Sequence, residues 1–213
     1  MAKTSQTVKP TIYFGYGSNL WLHQMRTRCP TSQYLGVARL RNYQWIINDR
    51  GYANVVEVPQ DGKQQDQHDS SNDGKYDDVV FGLVYSLKEE DERRLDKNEG
   101  VPIAYTKELL PCDLWSASTN GKVDTERPPT YTRDMLVYID RERTVPDSPR
   151  KEYIYRMNRG IADAVDMGVP EQYVLDVMRK FIPAEKEGET RKSMEEFAAK
   201  QAAQFRDESG VFQ

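Results

Sequence analysis

Cysteine and histidine are scarce in this chain of 213 residues, with two of each. Cys29 and Cys112 form no metal-like spacing, and neither His23 nor His68 has a Cys, Asp or Glu partner at ligand spacing. A zinc centre is therefore not indicated, and surface roles are expected for both histidines. Long apolar runs are also missing. The run Val79-Val80-Phe81-Gly82-Leu83-Val84-Tyr85 is far short of the ~20 residues that cross a bilayer. There is no excess of basic charge: 30 Lys and Arg against 34 Asp and Glu give a net charge of −4. That argues against nucleic acid and anionic membrane as partners. Met1-Ala2-Lys3-Thr4-Ser5-Gln6 lacks the apolar centre of a secretory signal. With so few cysteines, a reducing, cytoplasmic setting and free thiols are expected, and a Cys29–Cys112 disulfide is the less favoured alternative.

What is present suffices for a core. Hydrophobic residues make up 38% and charged residues 30%, a lean balance that fits a packed domain with polar insertions and tails. Residues 1–10 are polar and expected to be disordered; residues 11–183 are expected to form a single domain. Strand-like runs rich in Val, Ile, Tyr and Trp occur at Thr11–Tyr16, Gln33–Ile47, Ala53–Val58, Asp78–Leu87, Tyr105–Leu114 and Tyr131–Ile139. Residues 60–78 interrupt them as a polar insertion whose stretch Asp61–Gly74 holds no large apolar residue; it is expected to be a mobile surface loop. Ser86-Leu87-Lys88-Glu89 fits a capping box for a helix running to Glu99 and stopping at Gly100. Helical spacing predicts further helices over Pro149–Met167, closed by Gly168, and over Pro170–Phe181. The tail 184–213 carries Phe197, Ala198, Ala202 and Phe205, a weak amphipathic pattern that could pack back or bind a partner. Strands first and helices last predict an α+β fold.

The most informative stretch is Ile12-Tyr13-Phe14-Gly15-Tyr16-Gly17-Ser18-Asn19-Leu20. It reads as a short apolar strand entering a glycine-punctuated turn, where main-chain N–H groups can face one concavity and hold an anion or a developing oxyanion. Leu20 stands where a dinucleotide fingerprint and a Gly-x-Ser-x-Gly elbow both need glycine, and no Gly-Lys-Ser/Thr follows. Ser18 also has no obvious histidine base. Cys29 has Arg26 and Arg28 nearby, a setting that can lower a thiol pKa, but a reactive role is not favoured. Asp134 and Asp140 read as turn and edge charges.

Glu99 is the most unusual acid. Leu87, Asp91, Leu95 and Glu99 recur at i, i+4, so Glu99 follows two leucines inward if the helix runs that far. A helix C-terminus and burial both push a carboxyl pKa upward, which suits proton transfer to and from an amine. Spacing alone favours the plainer reading, a C-cap glutamate in solvent.

Five short motifs in one order resemble a known family. Tyr16-Gly17-Ser18-Asn19-Leu20 is followed by Val37-Ala38-Arg39-Leu40, Phe81-Gly82-Leu83-Val84-Tyr85, Leu95-Asp96-Lys97-Asn98-Glu99-Gly100-Val101, and Ser148-Pro149 before a helix. Over about Ile12 to Pro183 the chain is similar to the γ-glutamylcyclotransferase family in its eukaryotic cytosolic form. The resemblance implies a small closed or nearly closed β-barrel of mixed strands flanked by helices. It implies a cofactor-free reaction in which the α-amine of a γ-glutamyl group attacks its own γ-carbonyl, giving 5-oxoproline and a free amine or amino acid. Glu99 would carry the proton as catalytic general acid and base. Tyr13, Phe14, Gly15, Tyr16, Gly17, Ser18 and Asn19 would bind substrate. The family places a tyrosine after the Pro-Ser segment; the spacing here is unusual, with Tyr153 the first choice for that role and Tyr155 the alternative. The implied partner is a small-molecule γ-glutamyl substrate: a γ-glutamyl amino acid, a γ-glutamyl amine or a glutathione-derived conjugate. A homodimer is a further expectation. The polar insertion and the tail exceed a minimal member and could reshape access to the pocket, and a glutathione conjugate would need a more open one. The competing reading is a non-catalytic module that binds γ-glutamyl ligands on the same fold; a related lyase or amide-forming enzyme is a third.

Overall fold

The computed structural model describes residues 9–59, 74–118, 121–185, 192–207 and 209. The expected disorder of the first residues, and the bulk of the polar insertion with His68, lie outside this set. Five strands close into a barrel in the order β1 (Thr11–Gly15), β5 (Val79–Leu87), β2 (Gln33–Arg41), β6 (Thr106–Ser116) and β7 (Tyr131–Ile139). Neighbours run antiparallel except at the closure, where β1 meets β7 in parallel with Tyr13 opposite Leu136. Closure removes free sheet edges. In β5 the residues from Val80 to Tyr85 are all buried, which requires cover on both faces of the strand and explains why the run does not alternate.

The run Gln33–Ile47, expected as one strand, is two. Asn42 adopts a left-handed φ of 64°, which asparagine tolerates better than most residues. Its N–H and that of Tyr43 both donate to the Asp78 carbonyl, and the chain leaves the barrel there. β3 (Tyr43–Ile47) instead pairs with β4 (Ala53–Glu57) in a separate two-stranded sheet.

The helix before Glu99 also starts later than the capping box predicts. Ser86 stays in β5, opposite Ile12 and Gln33, so its backbone is committed to the ladder. The helix α2 spans Glu89–Asn98, with Lys88 extended as its N-cap and four acids, Glu89 to Glu92, in its first turn, where the helix dipole favours them. Asp91 and Leu95 are buried and Glu99 is the C-cap, so the inward stripe survives without Leu87. The predicted helix over Pro170–Phe181 is likewise shorter: α4 covers Glu171–Asp176, and a 3-10 turn, Met178–Lys180, follows. Tyr76, within the polar insertion, is buried against Phe81 and Tyr173, so that end of the insertion is docked.

Two helices and a turn carry the site. α1 (Leu22–Arg28) follows the 3-10 turn Ser18–Leu20, and α3 (Lys151–Met167) packs across that turn. Gly160 permits the approach, since a Cβ there would lie 3.0 Å from Leu20 Cβ and from the Trp21 nitrogen. In the tail, α5 (Lys192–Ala203) lies on α3 and α1 and buries Ala198, Gln201 and Ala202.

Candidate active site

β1 ends at Gly15, and the next four residues turn back across the end of the barrel. Trp45 Nε1 donates to the Tyr16 carbonyl at 3.0 Å and Tyr85 Oη to the Asn19 carbonyl at 3.0 Å. Gly17 sits where no side chain fits: a Cβ would meet Tyr153 Oη at 2.9 Å and Ala53 Cβ at 3.2 Å. The Tyr153 hydroxyl accepts the N–H groups of Ser18 (3.2 Å) and Ala53 (3.3 Å). Those bonds engage its lone pairs, so its own hydrogen is what it offers to the cavity. Burial pushes the Tyr153 pKa up to about 12, which keeps that hydrogen in place at neutral pH.

Under the turn lies a buried polar web. Arg156 is held by Glu152 one helical turn earlier, at 2.8 and 3.0 Å, and donates to Ser18 Oγ at 3.0 Å. Gln24 Nε2 donates to Ser18 Oγ and Asn19 Oδ1, and Arg28 Nη1 also donates to Asn19 Oδ1, at 3.1 Å. With its oxygen engaged twice, the Asn19 amide points its nitrogen at Tyr13 Oη (2.8 Å) and Glu99 Oε1 (2.9 Å). Removing such charges from water requires full pairing, and this web supplies it.

Glu99 therefore faces the early turn. Its side chain is 17% exposed, and its nearest guanidinium nitrogen, Arg28 Nη1, is 4.0 Å away. Burial pushes its pKa above the usual carboxylate value, against the opposing pull of Arg28, the Asn19 hydrogen bond, Arg50 and Arg156. Arg28 itself drops to about 10 through burial and the nearby Arg156, and so stays cationic at neutral pH.

One cavity gathers Tyr13, Tyr16, Gly17, Ser18, Asn19, Glu99 and Tyr153. It has about 460 Å³ of unfilled space, part of it open to solvent. Phe14 and Gly15 do not line it. Phe14 is fully buried against Tyr16, on the opposite side of β1 from Tyr13, as strand alternation requires; Gly15 has no side chain to present. Tyr155 packs instead against Trp21 and under Arg159. The cavity adds Asn98 from the Glu99 motif, which was not expected to line the site, and residues outside the motifs: Arg28, Tyr52, Ala53, Tyr105, Tyr138, Arg156 and Phe205. Arg156 left a trace in the sequence, a charge between the inward Tyr153 and Met157 with its partner Glu152 four residues earlier. Tyr52 and Tyr105 come from the connections before β4 and β6 and Tyr138 from β7, and they left none.

Two other candidates change character. Cys29 is buried with its thiol pushed up to about 12 by burial and by Asp91; Arg28 turns away from it toward Asn19. Cys29 and Cys112 are both free thiols. Asp140 holds the turn after β7, as read from the sequence, but it is buried and not an edge charge. It is 3% exposed and bonded to Asn48, Arg143 and the N–H groups of Glu142 and Arg143. Among the described residues, no cluster of three or more His, Cys, Asp and Glu is placed to hold a metal ion, and no helix is long and apolar enough to cross a membrane.

No protein-family model matches the chain. It is 25% identical over 179 residues to a gamma-glutamylcyclotransferase of Bos taurus, covering 79% of this chain and 78% of that protein. It is 23% identical over 196 residues to a gamma-glutamylcyclotransferase of Mus musculus, covering 89% and 88%. A solved structure of a gamma-glutamyl cyclotransferase superposes with a TM-score of 0.59 at 19% identity, over 90% of this chain and 99% of that one. The chain is thus similar to gamma-glutamylcyclotransferases along most of its sequence, and it shares the fold of a solved gamma-glutamyl cyclotransferase.

Proposed function

We propose that this protein is a γ-glutamylcyclotransferase, releasing 5-oxoproline and a free amine or amino acid from a γ-glutamyl compound. One observation carries the reading: Glu99, a carboxyl with a raised pKa, is fixed by Asn19 against the glycine turn on the rim of a tyrosine-lined cavity.

Glu99 is the catalytic acid and base. As a carboxylate it takes a proton from the α-ammonium of the γ-glutamyl group. The freed amine attacks the γ-carbonyl carbon, and the carbonyl electron pair moves to oxygen. Glu99 passes that proton to the departing nitrogen and takes the second proton from the attacking nitrogen. When the electron pair returns, the bond to the departing nitrogen breaks, the neutral lactam forms, and the second proton leaves with the freed amine as its ammonium. Atoms and charge balance without water or a co-reactant. The nucleophile is already in the substrate, so the enzyme's larger task is to fold the glutamyl chain into attacking geometry. The Tyr153 hydroxyl and the Gly17 N–H are the donors available to the substrate and the tetrahedral oxygen, the Ser18 N–H being given to Tyr153. Tyr13, Tyr16 and Asn19 form the remaining wall.

The partner is a small γ-glutamyl molecule. The test is to incubate the protein with γ-glutamyl-alanine, glutathione and S-benzylglutathione and measure 5-oxoproline by mass spectrometry. Release is expected from at least one, and Glu99→Gln, which keeps the shape and removes the base, is expected to abolish it. Undiminished release by that variant removes Glu99 from the mechanism. No release from any substrate by the wild type moves the protein to the binding-module reading.

A further inference from the structure

The cavity has one open side. Of the residues that line it, Tyr13, Tyr16, Ser18, Asn19, Arg28, Tyr52, Ala53, Tyr105, Tyr138, Tyr153 and Arg156 are buried; only Gly17, Asn98, Glu99 and Phe205 are partly exposed. These four mark the mouth. On the cyclotransferase reading the bond that breaks lies beside Glu99, and a departing group that leaves by this mouth passes between Gly17, Asn98 and Phe205.

Phe205 belongs to the tail, and the tail is fastened on both sides of it. Before it, Arg28 donates to the Gln201 and Ala202 carbonyls, each at 2.9 Å. After it, Asp207 pairs with Arg50 at 2.5 and 2.9 Å. The Phe205 N–H donates to Asn98 Oδ1 at 3.1 Å, next to Glu99. The ring meets Tyr52 edge-on, with centroids 5.0 Å apart, and the Arg28 and Arg156 guanidinium carbons lie 6.0 and 5.6 Å from its centroid. These contacts hold the ring in place while part of it stays exposed at the mouth, which makes it a fixed steric boundary there.

We propose that Phe205 is a specificity-determining residue of this site, a fixed wall at the mouth that admits γ-glutamyl compounds with small leaving groups and holds out those with bulky ones. The inference rests on the cyclotransferase reading and narrows its substrates to γ-glutamyl amino acids and small amines in preference to S-substituted glutathione.

The experiment compares kcat/KM for γ-glutamyl-alanine and S-benzylglutathione, by release of 5-oxoproline, in the wild type, Phe205→Leu, Phe205→Val and Phe205→Ala, each checked for folding by thermal melting. The ratio of bulky to small substrate is expected to rise as the side chain shrinks. It should reach at least ~10-fold in Phe205→Ala, the scale on which pocket size discriminates, and stay near the wild-type ratio in Phe205→Leu. A ratio that does not change along the series overturns the wall, whether both activities hold or both fall, and the Val variant decides if the Ala variant does not fold. A wild type that prefers S-benzylglutathione also overturns it. If the wild type turns over neither of these nor glutathione, the cyclotransferase reading falls and takes the wall with it; turnover of glutathione alone, or turnover with a flat ratio, removes the wall alone.

Discussion

Asp113 on the barrel and Glu99 at the cavity mouth both lie near arginine, and burial pushes both carboxyls upward, yet they settle on opposite sides of the ordinary value. At Asp113 burial is outweighed by hydrogen bonds from Arg39, Thr132 and Arg41, and the pKa is lowered. Those bonds are direct: Arg39 Nη2 at 2.8 Å, Arg41 Nε at 2.7 Å and Thr132 Oγ1 at 2.7 Å. At Glu99 the nearest guanidinium nitrogen stands off at 4.0 Å and a neutral amide makes the contact, so burial prevails. Charge-assisted hydrogen bonds gain most at contact distance and Coulomb attraction falls with separation. Separation thus distinguishes an acid used to hold strands from one left able to exchange a proton.

The largest effect expected is that of Glu99→Gln. Loss of a general acid and base lowers kcat by about two to four orders of magnitude. Stability should move the other way. A carboxyl whose folded pKa lies above its unfolded value contributes stability below the unfolded pKa and loses it as pH rises through the folded one. Wild-type protein carries that loss at neutral and alkaline pH, whereas the glutamine does not titrate. The variant should melt higher than wild type at pH 8, with the gap closing toward pH 4. A variant that melts lower throughout would show Glu99 to be a structural ion pair like Asp113.

Asp113→Asn tests the other side. Losing charged hydrogen bonds should destabilise the protein by about 2 kcal/mol near neutral pH, read by urea unfolding. The sign with pH is reversed. A lowered pKa gives stability above the unfolded value of 3.8 that is lost as pH falls through the folded one, so wild type and variant should converge in acid. Equal stability at pH 7 would mean that the two arginines contribute nothing net there.

Arg28→Met sharpens the comparison at the mouth. The guanidinium lowers the Glu99 pKa, so its removal lets that pKa rise further. The reaction needs the carboxylate, so the acid limb of the pH profile of kcat/KM should move to higher pH. An unmoved or lower limb would show that Arg28 does not set the charge state of Glu99. The same arginine holds the Gln201 and Ala202 carbonyls, so a lower melting temperature is also expected.

The sequence was most readable where backbone pattern and local spacing coincide. The stretch from Tyr13 to Asn19 joins strand alternation to a glycine turn, and it reads as a site wall apart from Phe14, which alternation turns into the core, and Gly15. The inward stripe of α2 located Glu99, although its start was misplaced because Ser86 satisfies both a capping box and a strand ladder. The break at Asn42 was illegible, since a φ of 64° leaves no apolar pattern behind. Least legible was the far wall. Tyr52, Tyr105, Tyr138 and Phe205 converge only through barrel closure and the return of the tail, and contacts of such sequence separation leave no periodicity to read.

The smallest effect expected is also on the barrel. Thr132→Val removes one of the three groups bonded to Asp113 and keeps the shape. Thr132 is exposed, so water can replace the hydroxyl, and the loss should be only about 0.5 kcal/mol. The Asp113 pKa should rise toward its ordinary value, and the acid-induced loss of stability should begin at slightly higher pH. A loss as large as that of Asp113→Asn would mean that the hydroxyl, not the paired arginines, holds this carboxylate down. Contact with guanidinium would then no longer be what separates Asp113 from Glu99.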